Sequence, residues 1–471
     1  MNRINEHLLS YLGSHGACTA SELSAAMKIS QPTLSRAITS LGQQRIVRMG
    51  RARSTRYARR SERPGNECPL YLIDESGQAV HLGVLYELSR GEWHFQQDSP
   101  WKSLRGDVFR DGLYPGLPWF LQDMRPCGFL GRCFAQSHAQ ALQASRNPTD
   151  WSDACVLEAL RRFGQDMLGA LIVGRDMLEQ IRSLAAHARE SLSETEIPQA
   201  YPQMAGQVLA GEWPGSSAAG EQPKFTATVI GSDGEIRHVL VKFSGDMKLP
   251  EARRWSDLLR AENLANRMLS EEGLLCARSR IICSAGRTFL EADRFDRCGA
   301  TGRRAVVSLE ALDAAYVGVN GLPWNRAAVA LRDAGWLSAA DAEHLTLFWW
   351  FGMLTGNTDM HYGNIAFYLD PNPPLRLAPL YDMVPMFYRP GLEGKLHAAV
   401  LTLTPPPPEE LPIWRVAADS ARKYWEQIAR DHDFSSDFRD IAAKNRAAVS
   451  AVIERIDHRP DSDFEQRGGT K

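Results

Sequence analysis

An aspartate and an asparagine five positions apart carry the clearest chemistry in this sequence. They lie in the motif Gly356-Asn-Thr-Asp-Met-His-Tyr-Gly-Asn364, which follows the apolar helical stretch 345–354. The spacing Asp-x-x-x-x-Asn is typical of a phosphoryl-transfer catalytic loop. Asp359 would accept the proton of an attacking hydroxyl, and the amide oxygen of Asn364 would bind Mg²⁺. Because an isolated pair at this spacing is a common coincidence, the motif needs support from elsewhere in the chain.

A second acidic residue follows at a distance that a β-hairpin would span. Predicted strands at 365–369 and 375–378 lead to Asp382, which lies 18 positions after Asn364. An aspartate placed after such a hairpin would bridge Mg²⁺ to the β- and γ-phosphates of a nucleotide through hard oxygen ligands. Alone, Asp382 reads as a turn aspartate. Its combination with Asp359, Asn364 and the hairpin favours a metal-binding role.

A loop of small residues and a strand lysine could supply the phosphate contacts. The segment Gly215-Ser-Ser-Ala-Ala-Gly-Glu-Gln-Pro-Lys224 would let backbone amides approach phosphate oxygens closely, although such a loop is usually only a turn. Lys242, near the end of the predicted strand 237–243, could reach the α- and β-phosphates. Glu262, in the predicted helix 255–271, could pair with that lysine. An ordinary strand-end lysine and a surface carboxylate are the competing interpretations, and the choice of Glu262 over its neighbours is open.

The chain that must position these residues begins with a basic segment. Residues 1–60 contain ten Arg/Lys and two acidic residues, within a chain whose net charge is −2. Three helical patterns, with a capping box at Thr19 and Glu22 and an N-cap at Ser30, precede a predicted hairpin. This order predicts a winged helix-turn-helix domain that binds DNA. A solvated basic face on a protein-interaction module is the alternative.

The DNA contacts expected from this domain fall into two groups. The third helix would present short polar side chains to base edges in the major groove, and the wing arginines would face phosphates. The residues concerned are Gln31, Thr33, Ser35, Arg36, Arg48, Arg51, Arg53 and Arg56.

Length and composition limit the remaining classes. A chain of 471 residues exceeds one hydrophobic core, so two or three domains are expected. With 44% hydrophobic and 23% charged residues the chain is typical of a soluble globular protein. Its most apolar run, 345–356, covers 12 residues, whereas a membrane span needs about 20. No secretory signal is evident, and the eight cysteines form no Cys-x-x-Cys pair, which argues against zinc and disulfides. We therefore expect a cytoplasmic protein with no membrane partner.

Five motifs in order resemble the HipA toxin kinases, over roughly residues 65–455. With its basic N-terminal segment the sequence is similar to the YjjJ-type branch of that family. The motifs are 215–224, Val241-Lys242, Asp293-Arg-Phe-Asp-Arg297, 356–364 and Pro379-Leu-Tyr-Asp382. The resemblance implies an α+β, two-lobed protein-kinase-like fold that uses ATP and Mg²⁺ and phosphorylates Ser/Thr of a protein. In family members the substrate is an aminoacyl-tRNA synthetase.

The resemblance also implies roles for individual residues. Ser217 matches the family's autophosphorylated loop serine, and Ser216 beside it is an alternative acceptor; a phosphate there would add about −2 charge and eject the nucleotide. The segment 291–295 matches the hinge that holds adenine. The nucleotide-binding residues so implied are Ser217, Gly220, Lys242, Glu262, Asp293, Phe295 and His361.

The resemblance predicts the domain boundaries and leaves the partners partly open. We expect a winged helix at 1–62, a β-rich kinase lobe at 63–298, a helical kinase lobe at 299–458 and a disordered tail at 459–471. Family members are usually held by a separate DNA-binding antitoxin, so the fused domain would bind the protein's own promoter in cis. The protein substrate, the DNA site and a homodimeric state are not determined by the sequence.

Two positions depart from the family pattern. The family commonly has Arg directly after the catalytic aspartate and Lys directly before the asparagine, whereas this chain has Met360 and Gly363. A missing cation near the transferring phosphate could weaken catalysis. An active kinase remains the favoured interpretation. A DNA-binding regulator that only senses nucleotide, and a kinase for a small molecule, are the alternatives.

Overall fold

The computed structural model describes residues 2–63, 65–186, 191–211, 222–391, 394–396 and 398–458. The predicted phosphate-loop residues Ser216, Ser217 and Gly220 lie outside the described residues, as does the tail 459–471.

The N-terminal unit combines three helices with a small antiparallel sheet. Its elements are α1 (Asn2–His15), β1 (Cys18–Thr19), α2 (Ala20–Met27), α3 (Gln31–Leu41), β2 (Ile46–Met49) and β3 (Arg56–Arg59), with the strand order β1-β3-β2. The predicted capping box is confirmed: the Thr19 N–H donates to Glu22 Oε2 at 2.7 Å, and the Glu22 N–H donates to Thr19 Oγ1 at 3.3 Å. Ser30 caps α3, as predicted. Helices α2 and α3 therefore begin where local sequence signals place them.

A second unit follows, built on a five-stranded antiparallel sheet. Its elements are β4 (Glu67–Ile73), β5 (Ala79–Glu87), β6 (Trp93–Gln97), β7 (Leu113–Tyr114), α4 (Gly128–Leu142), α5 (Asp153–Phe163), β8 (Leu171–Val173) and α6 (Arg175–Ala186). The strand order is β7-β6-β5-β4-β8. β4 and β5 form an antiparallel hairpin with a turn between Ile73 and Ala79.

A third unit contains a separate five-stranded sheet. Its elements are β9 (Leu192–Ser193), α7 (Ile197–Leu209), β10 (Lys224–Ile230), β11 (Ile236–Phe243), α8 (Pro250–Glu271), β12 (Ser279–Ser284) and β13 (Arg287–Asp293). The strand order is β12-β13-β11-β10-β9, antiparallel except at β9. The range predicted as one β-rich lobe, 63–298, thus contains two distinct sheets.

The C-terminal part is mostly helical. Its elements are β14 (Arg297–Cys298), β15 (Gly302–Arg303), β16 (Val306–Ser308), α9 (Leu309–Tyr316), α10 (Trp324–Asp333), α11 (Ala339–Thr355), β17 (Ala366–Tyr368), β18 (Arg376–Leu377), α12 (Leu411–Arg430) and α13 (Ser436–Asp457). The hairpin predicted between Asn364 and Asp382 is confirmed as β17–β18.

The hydrophobic cores do not follow the order of the units along the chain. One large core joins the β4–β8 sheet, the C-terminal helices and the inner face of α8, including Leu258 and Leu264. The β9–β13 sheet has its own smaller core with α7, formed around Tyr201, Phe225 and Phe289. The inner face of helix α8 therefore belongs to the large core, together with the C-terminal helices. The β9–β13 sheet, called the small sheet below, has a core of its own.

The N-terminal unit packs directly on the second unit. Val47 and Met49 of β2 form a small apolar cluster with Leu88, and Arg56 of β3 makes an ion pair with Asp111 at 3.0 Å. Apolar and ionic contacts thus join the N-terminal unit to the second unit, and they set the orientation of the exposed arginines of the N-terminal unit relative to the second unit.

Across the described ranges, no helix is both long enough and apolar enough to cross a membrane. All eight cysteines are free thiols: three are buried, three are half-buried and two are exposed.

Candidate active site

The site is built around a buried lysine at the end of β11. The Lys242 Nζ donates to both carboxylate oxygens of Glu262, at 2.7 and 2.8 Å. Glu262 lies near the middle of α8, and both side chains are almost fully buried. The structure thus brings together the lysine and glutamate that the sequence suggested as partners. Since α8 packs with the C-terminal part, this pair ties the small sheet to the rest of the molecule.

The same lysine also contacts the aspartate that follows the β17–β18 hairpin. The Lys242 Nζ lies 2.5 Å from Asp382 Oδ1. Burial opposes the lysine charge, but Asp382 and Glu262 outweigh it and raise the pKa of Lys242. Burial likewise opposes charge on Asp382, but Lys242 and the nearby Lys224 hold the pKa of Asp382 below its usual value. Lys242 and Asp382 therefore remain ionised at neutral pH. Burial raises the pKa of Glu262, and the charge of Lys242 opposes that rise.

Asp382 adopts a backbone conformation that is unusual for its residue type. Its φ is +59°, in the left-handed region, where a residue with a Cβ is disfavoured. Such conformations persist where surrounding contacts enforce them, and they concentrate at functional sites. Here the Tyr381 hydroxyl donates to the Gly363 carbonyl at 2.8 Å and anchors the segment to the catalytic loop.

A second lysine, Lys224, belongs to the site. It is the first residue of β10 and pairs in register with Lys242 of β11. Directly opposite residues of an antiparallel pair share one face of the sheet, so both lysines face the carboxylates. Burial, together with the charge of Lys242, lowers the pKa of Lys224 to about 8. The sequence placed Lys224 at the end of the loop motif but assigned no role to it.

The catalytic loop begins where α11 ends at Gly356, whose φ of +77° suits a helix C-terminus. The Asn364 Nδ2 donates to the Asp359 carbonyl at 2.9 Å, which closes the loop on itself. Asp359 is exposed and Asn364 is buried. The loop therefore leaves Asp359 exposed to solvent.

Asn357 is a site residue to which the sequence analysis gave no role. Its side-chain oxygen accepts from the Asp359 N–H at 3.0 Å, and its Nδ2 reaches the Asp382 carbonyl at 3.4 Å. The side chain is buried between the two segments. One amide therefore sets the position of the catalytic loop relative to the Asp382 segment. The signal available in the sequence was Asn two residues before Asp, the spacing of a side-chain-to-backbone turn.

The two departures from the family pattern have structural counterparts. The His361 Nδ1 accepts from the Gly363 N–H at 3.1 Å, and a Cβ on Gly363 would lie 2.9 Å from the His361 ring. Glycine at 363 thus makes room for that imidazole. Met360 packs inward, against Gly352 of α11. An arginine at 360 could not follow the same path.

Of the two predicted hinge residues, Phe295 lies beside the site and Asp293 points away from it. Asp293 shares a face of the sheet with Val239, which is opposite to the face of Lys242. Its carboxylate instead accepts from Arg237 Nη1 at 2.6 Å, so the structure does not bring the Asp293 side chain to the lysine cluster. The Phe295 ring lies 5.5 Å from the ring of Tyr381, which keeps Phe295 beside the site.

The side chains that could hold a metal ion are Asp382 and Asn364. A carboxylate and an amide offer hard oxygen donors, which suit Mg²⁺ and not a soft metal. Because the Asn364 Nδ2 is engaged with the Asp359 carbonyl, the amide oxygen is directed away from that bond. The donors present therefore fit Mg²⁺.

The residues predicted to contact DNA are only partly available. Gln31, Ser35 and Arg36 are exposed on α3, and Thr33 is half-buried. The predicted wing residues Arg48 and Arg51 are also exposed, whereas the side chain of Arg53 lies outside the described residues. Arg56 is engaged by Asp111 at 3.0 Å and is only about a third exposed, so the expectation of a free phosphate contact at Arg56 is not met by this structure.

A fold of this kind, with a small sheet that carries a lysine paired to a helix glutamate, and a helical part that carries the catalytic loop, is a two-lobed kinase-like α+β fold. The chain belongs to the HipA family of toxins. Residues 64–182 match a family model described as the YjjJ-like toxin middle domain, and residues 216–459 match the HipA-like C-terminal domain.

Individual relatives agree with this assignment. The chain is 34% identical over 443 residues to Toxin YjjJ of Escherichia coli (strain K12), covering 94% of this chain and 97% of that protein. Among solved structures it is similar to HipA of Shewanella oneidensis MR-1, determined in complex with HipB and its operator DNA. That match has a TM-score of 0.50 at 16% identity, covering 82% of this chain and 97% of HipA. The match to the YjjJ-like middle domain spans the β4–β8 sheet and ends within α6.

Proposed function

We propose that this protein is a Ser/Thr protein kinase that uses ATP with Mg²⁺. The observation that carries the proposal is the bridge from Lys242 to both Glu262 and Asp382, directly beside the loop that bears Asp359. A lysine held by a helix glutamate next to a metal-binding aspartate is the arrangement that positions nucleotide phosphates in kinases.

The residues of the site divide the work of phosphoryl transfer. Lys242 and Lys224 neutralise and orient the phosphates, and the Asp359 carboxylate orients the acceptor hydroxyl and takes its proton. The hydroxyl oxygen forms a bond to the γ-phosphorus as the bond to the β–γ bridging oxygen breaks, and ADP leaves. Mg²⁺, held by Asp382 and Asn364 when bound, would supply charge stabilisation to the phosphates.

The exposed imidazole of His361 supports activity in a chain without the family's two cations. Since the His361 Nδ1 accepts a backbone N–H, its Nε2 carries the proton in the neutral ring and is available as a donor. Together with the two buried lysines it offers phosphate a third polar contact. For this reason we favour an active enzyme over one that only senses nucleotide.

The proposal also covers how the kinase is regulated and which molecules it binds. Phosphorylation of Ser217 or Ser216 would place charge in the nucleotide loop and switch the kinase off. The N-terminal unit, with the helix and hairpin order of a winged helix, would bind DNA through α3 and Arg48. HipA of Shewanella oneidensis was solved with HipB and operator DNA; here the fused unit would serve the DNA-binding role in cis at the protein's own promoter. The protein substrate would be an aminoacyl-tRNA synthetase, as in family members.

The test of the proposed chemistry is transfer of label from γ-labelled ATP to protein. Wild type should label protein only when Mg²⁺ is present, and Asp359→Asn should reduce the rate by at least about a hundredfold, the scale of general-base catalysis. Asp333→Asn, at an exposed aspartate that ends α10, is the matched control. Labelling that is equally fast in Asp359→Asn and wild type would overturn the role of Asp359.

A further inference from the structure

A straight stretch of chain, residues 398–404, follows the catalytic elements and precedes α12. It forms neither helix nor turn nor bend. Its side chains alternate: Leu401 and Leu403 are half-buried against the main core, and the residues between them face solvent. Alternation with a period of two is the pattern of a β-strand with one packed face. The alternation runs from Val400 to Thr404, with Val400, Thr402 and Thr404 exposed; the alanines at 398 and 399 are both exposed.

Two hydrogen bonds fix one edge of this stretch to the protein. The Leu401 N–H donates to Asn445 Oδ1 at 3.2 Å, and the Ala399 carbonyl accepts from the Tyr388 hydroxyl at 3.0 Å. Both partners are buried. The main-chain groups of residues 399 and 401 therefore point into the molecule.

The other edge has no such partners. In an extended chain the N–H and C=O of successive residues point to opposite sides, so those of Val400 and Thr402 point outward. Within the described part of the chain these groups have no hydrogen-bond partner, and no strand pairs with the stretch. Proline residues 405–408, which lack an N–H, end the edge on one side. The result is a short strand edge that is open to pairing.

This open edge adjoins the catalytic loop. Leu401 lies so close to Gly356 that a Cβ on the glycine would be 2.9 Å from Leu401 Cδ2. Gly356 begins the loop and lies three residues before Asp359. The stretch therefore contacts the start of the loop that bears the exposed Asp359 carboxylate.

We propose that residues 398–404 form the docking edge for the polypeptide acceptor. An extended segment of the substrate protein adds to this edge as a strand, held by main-chain hydrogen bonds to Val400 and Thr402, and its Ser or Thr hydroxyl reaches Asp359. Strand addition of this kind gives affinity through the backbone. Because the exposed side chains are small and uncharged, the edge selects for extended conformation more than for a particular sequence. The inference rests on the proposed kinase activity.

The experiment removes one outward N–H from the edge. Thr402→Pro deletes the donor while its fixed φ remains compatible with an extended chain; Thr402→Ala keeps the donor and is the matched control. The probe is a peptide library with a fixed central serine, phosphorylated with γ-labelled ATP. Thr402→Pro should raise the KM for peptide at least about tenfold, the effect of losing one or two main-chain hydrogen bonds, with a smaller change in kcat. Thr402→Ala should stay within about twofold of wild type.

The outcomes separate the inference from the proposed function. Equal KM values for Thr402→Pro and Thr402→Ala would overturn the docking edge while leaving the kinase intact. Absence of any label transfer by wild type would overturn the proposed function and the inference with it. A dimer of wild type that Thr402→Pro dissociates would show that the edge pairs two copies of this chain, which also overturns peptide docking. Peptides N-methylated at alternate residues repeat the test without altering the protein: methylation at every second position should abolish phosphorylation in one register only.

Discussion

Lys224 and Lys242 lie directly opposite each other on β10 and β11 and face the same pair of carboxylates. Two adjacent buried cations are unfavourable unless negative charge compensates them. Asp382 and Glu262 compensate Lys242 directly, through contacts of 2.5 and 2.7 Å. Lys224 bears the larger cost, and its pKa falls to about 8. The two lysines balance the two carboxylates in charge, and paired ammonium groups on one sheet face are suited to contact a polyphosphate.

The shifted pKa of Lys224 predicts a pH-dependent affinity for nucleotide. Lys224 loses its proton as pH rises through about 8, so the affinity for ATP should fall by up to about tenfold between pH 7 and 9. Lys224→Arg, which stays charged, should flatten the profile. Calorimetric titration of ATP across this range checks the prediction, and an identical pH profile in Lys224→Arg and wild type would refute it.

Removal of the central lysine should affect both stability and nucleotide binding. Lys242→Met leaves the buried Glu262 and the half-buried Asp382 without their cation. Breaking a buried pair in this way typically costs about 3–5 kcal/mol in the free energy of unfolding. Binding of ATP should weaken at least about tenfold. Lys248→Met, at an exposed lysine in the next turn, is the matched control. Denaturant unfolding and ATP titration measure the two effects; ATP binding by Lys242→Met at wild-type strength would count against the site.

Asn357 is expected to act as a positioning residue. Asn357→Ala frees the catalytic loop from the Asp382 segment and should lower kcat about 10- to 100-fold, because small displacements of catalytic groups are costly. The Kd for ATP should change much less. Asn357→Asp keeps the acceptor for the Asp359 N–H but loses the donor to the Asp382 carbonyl, so it should fall between wild type and alanine.

Kinetics of label transfer, with Asn372→Ala in the exposed hairpin turn as control, test this expectation. A parallel loss of ATP affinity and kcat in Asn357→Ala would instead indicate a general structural role.

The arginines of the N-terminal unit should differ in their effect on DNA binding. Arg36→Ala, on the exposed face of α3, should cost about 1–3 kcal/mol at a specific site, and Arg48→Ala should reduce the salt slope by about one. Arg56→Ala should alter affinity by less than about twofold, because Asp111 already engages that side chain. Fluorescence anisotropy with upstream DNA at several salt concentrations measures all three. A larger loss at Arg56 than at Arg36 would place the DNA on a different face.

The local sequence predicted most of the fold because each element carries its own signal. The capping box at Thr19, the cap at Ser30 and the hairpin before Asp382 all depend on residues within a few positions of one another, and all three are found. The division of 63–298 into two sheets was not predicted. It depends on which strands pair and which core α8 joins, and neither leaves a local pattern.

In the candidate site, too, the sequence predicted the residues that lie in local motifs and missed those whose roles depend on distant contacts. Motif spacing identified Lys242, Glu262, Asp359, Asn364 and Asp382. Lys224 and Asn357 were overlooked because their roles arise from contacts with residues 18 and 25 positions away: the register of β10 with β11, and the approach of the Asp382 carbonyl. The direction of Asp293 was likewise fixed by strand alternation, which a motif does not specify.

The most direct measurement of the central claim is the intact mass of purified protein after incubation with ATP and Mg²⁺, beside Asp359→Asn. The protein must first be shown to be unphosphorylated. We predict a gain of about 80 Da, one phosphate group, on Ser217 or Ser216 in wild type and no gain in the variant. An unchanged mass in wild type, with ATP bound, would contradict the kinase and indicate a DNA-binding regulator that senses nucleotide.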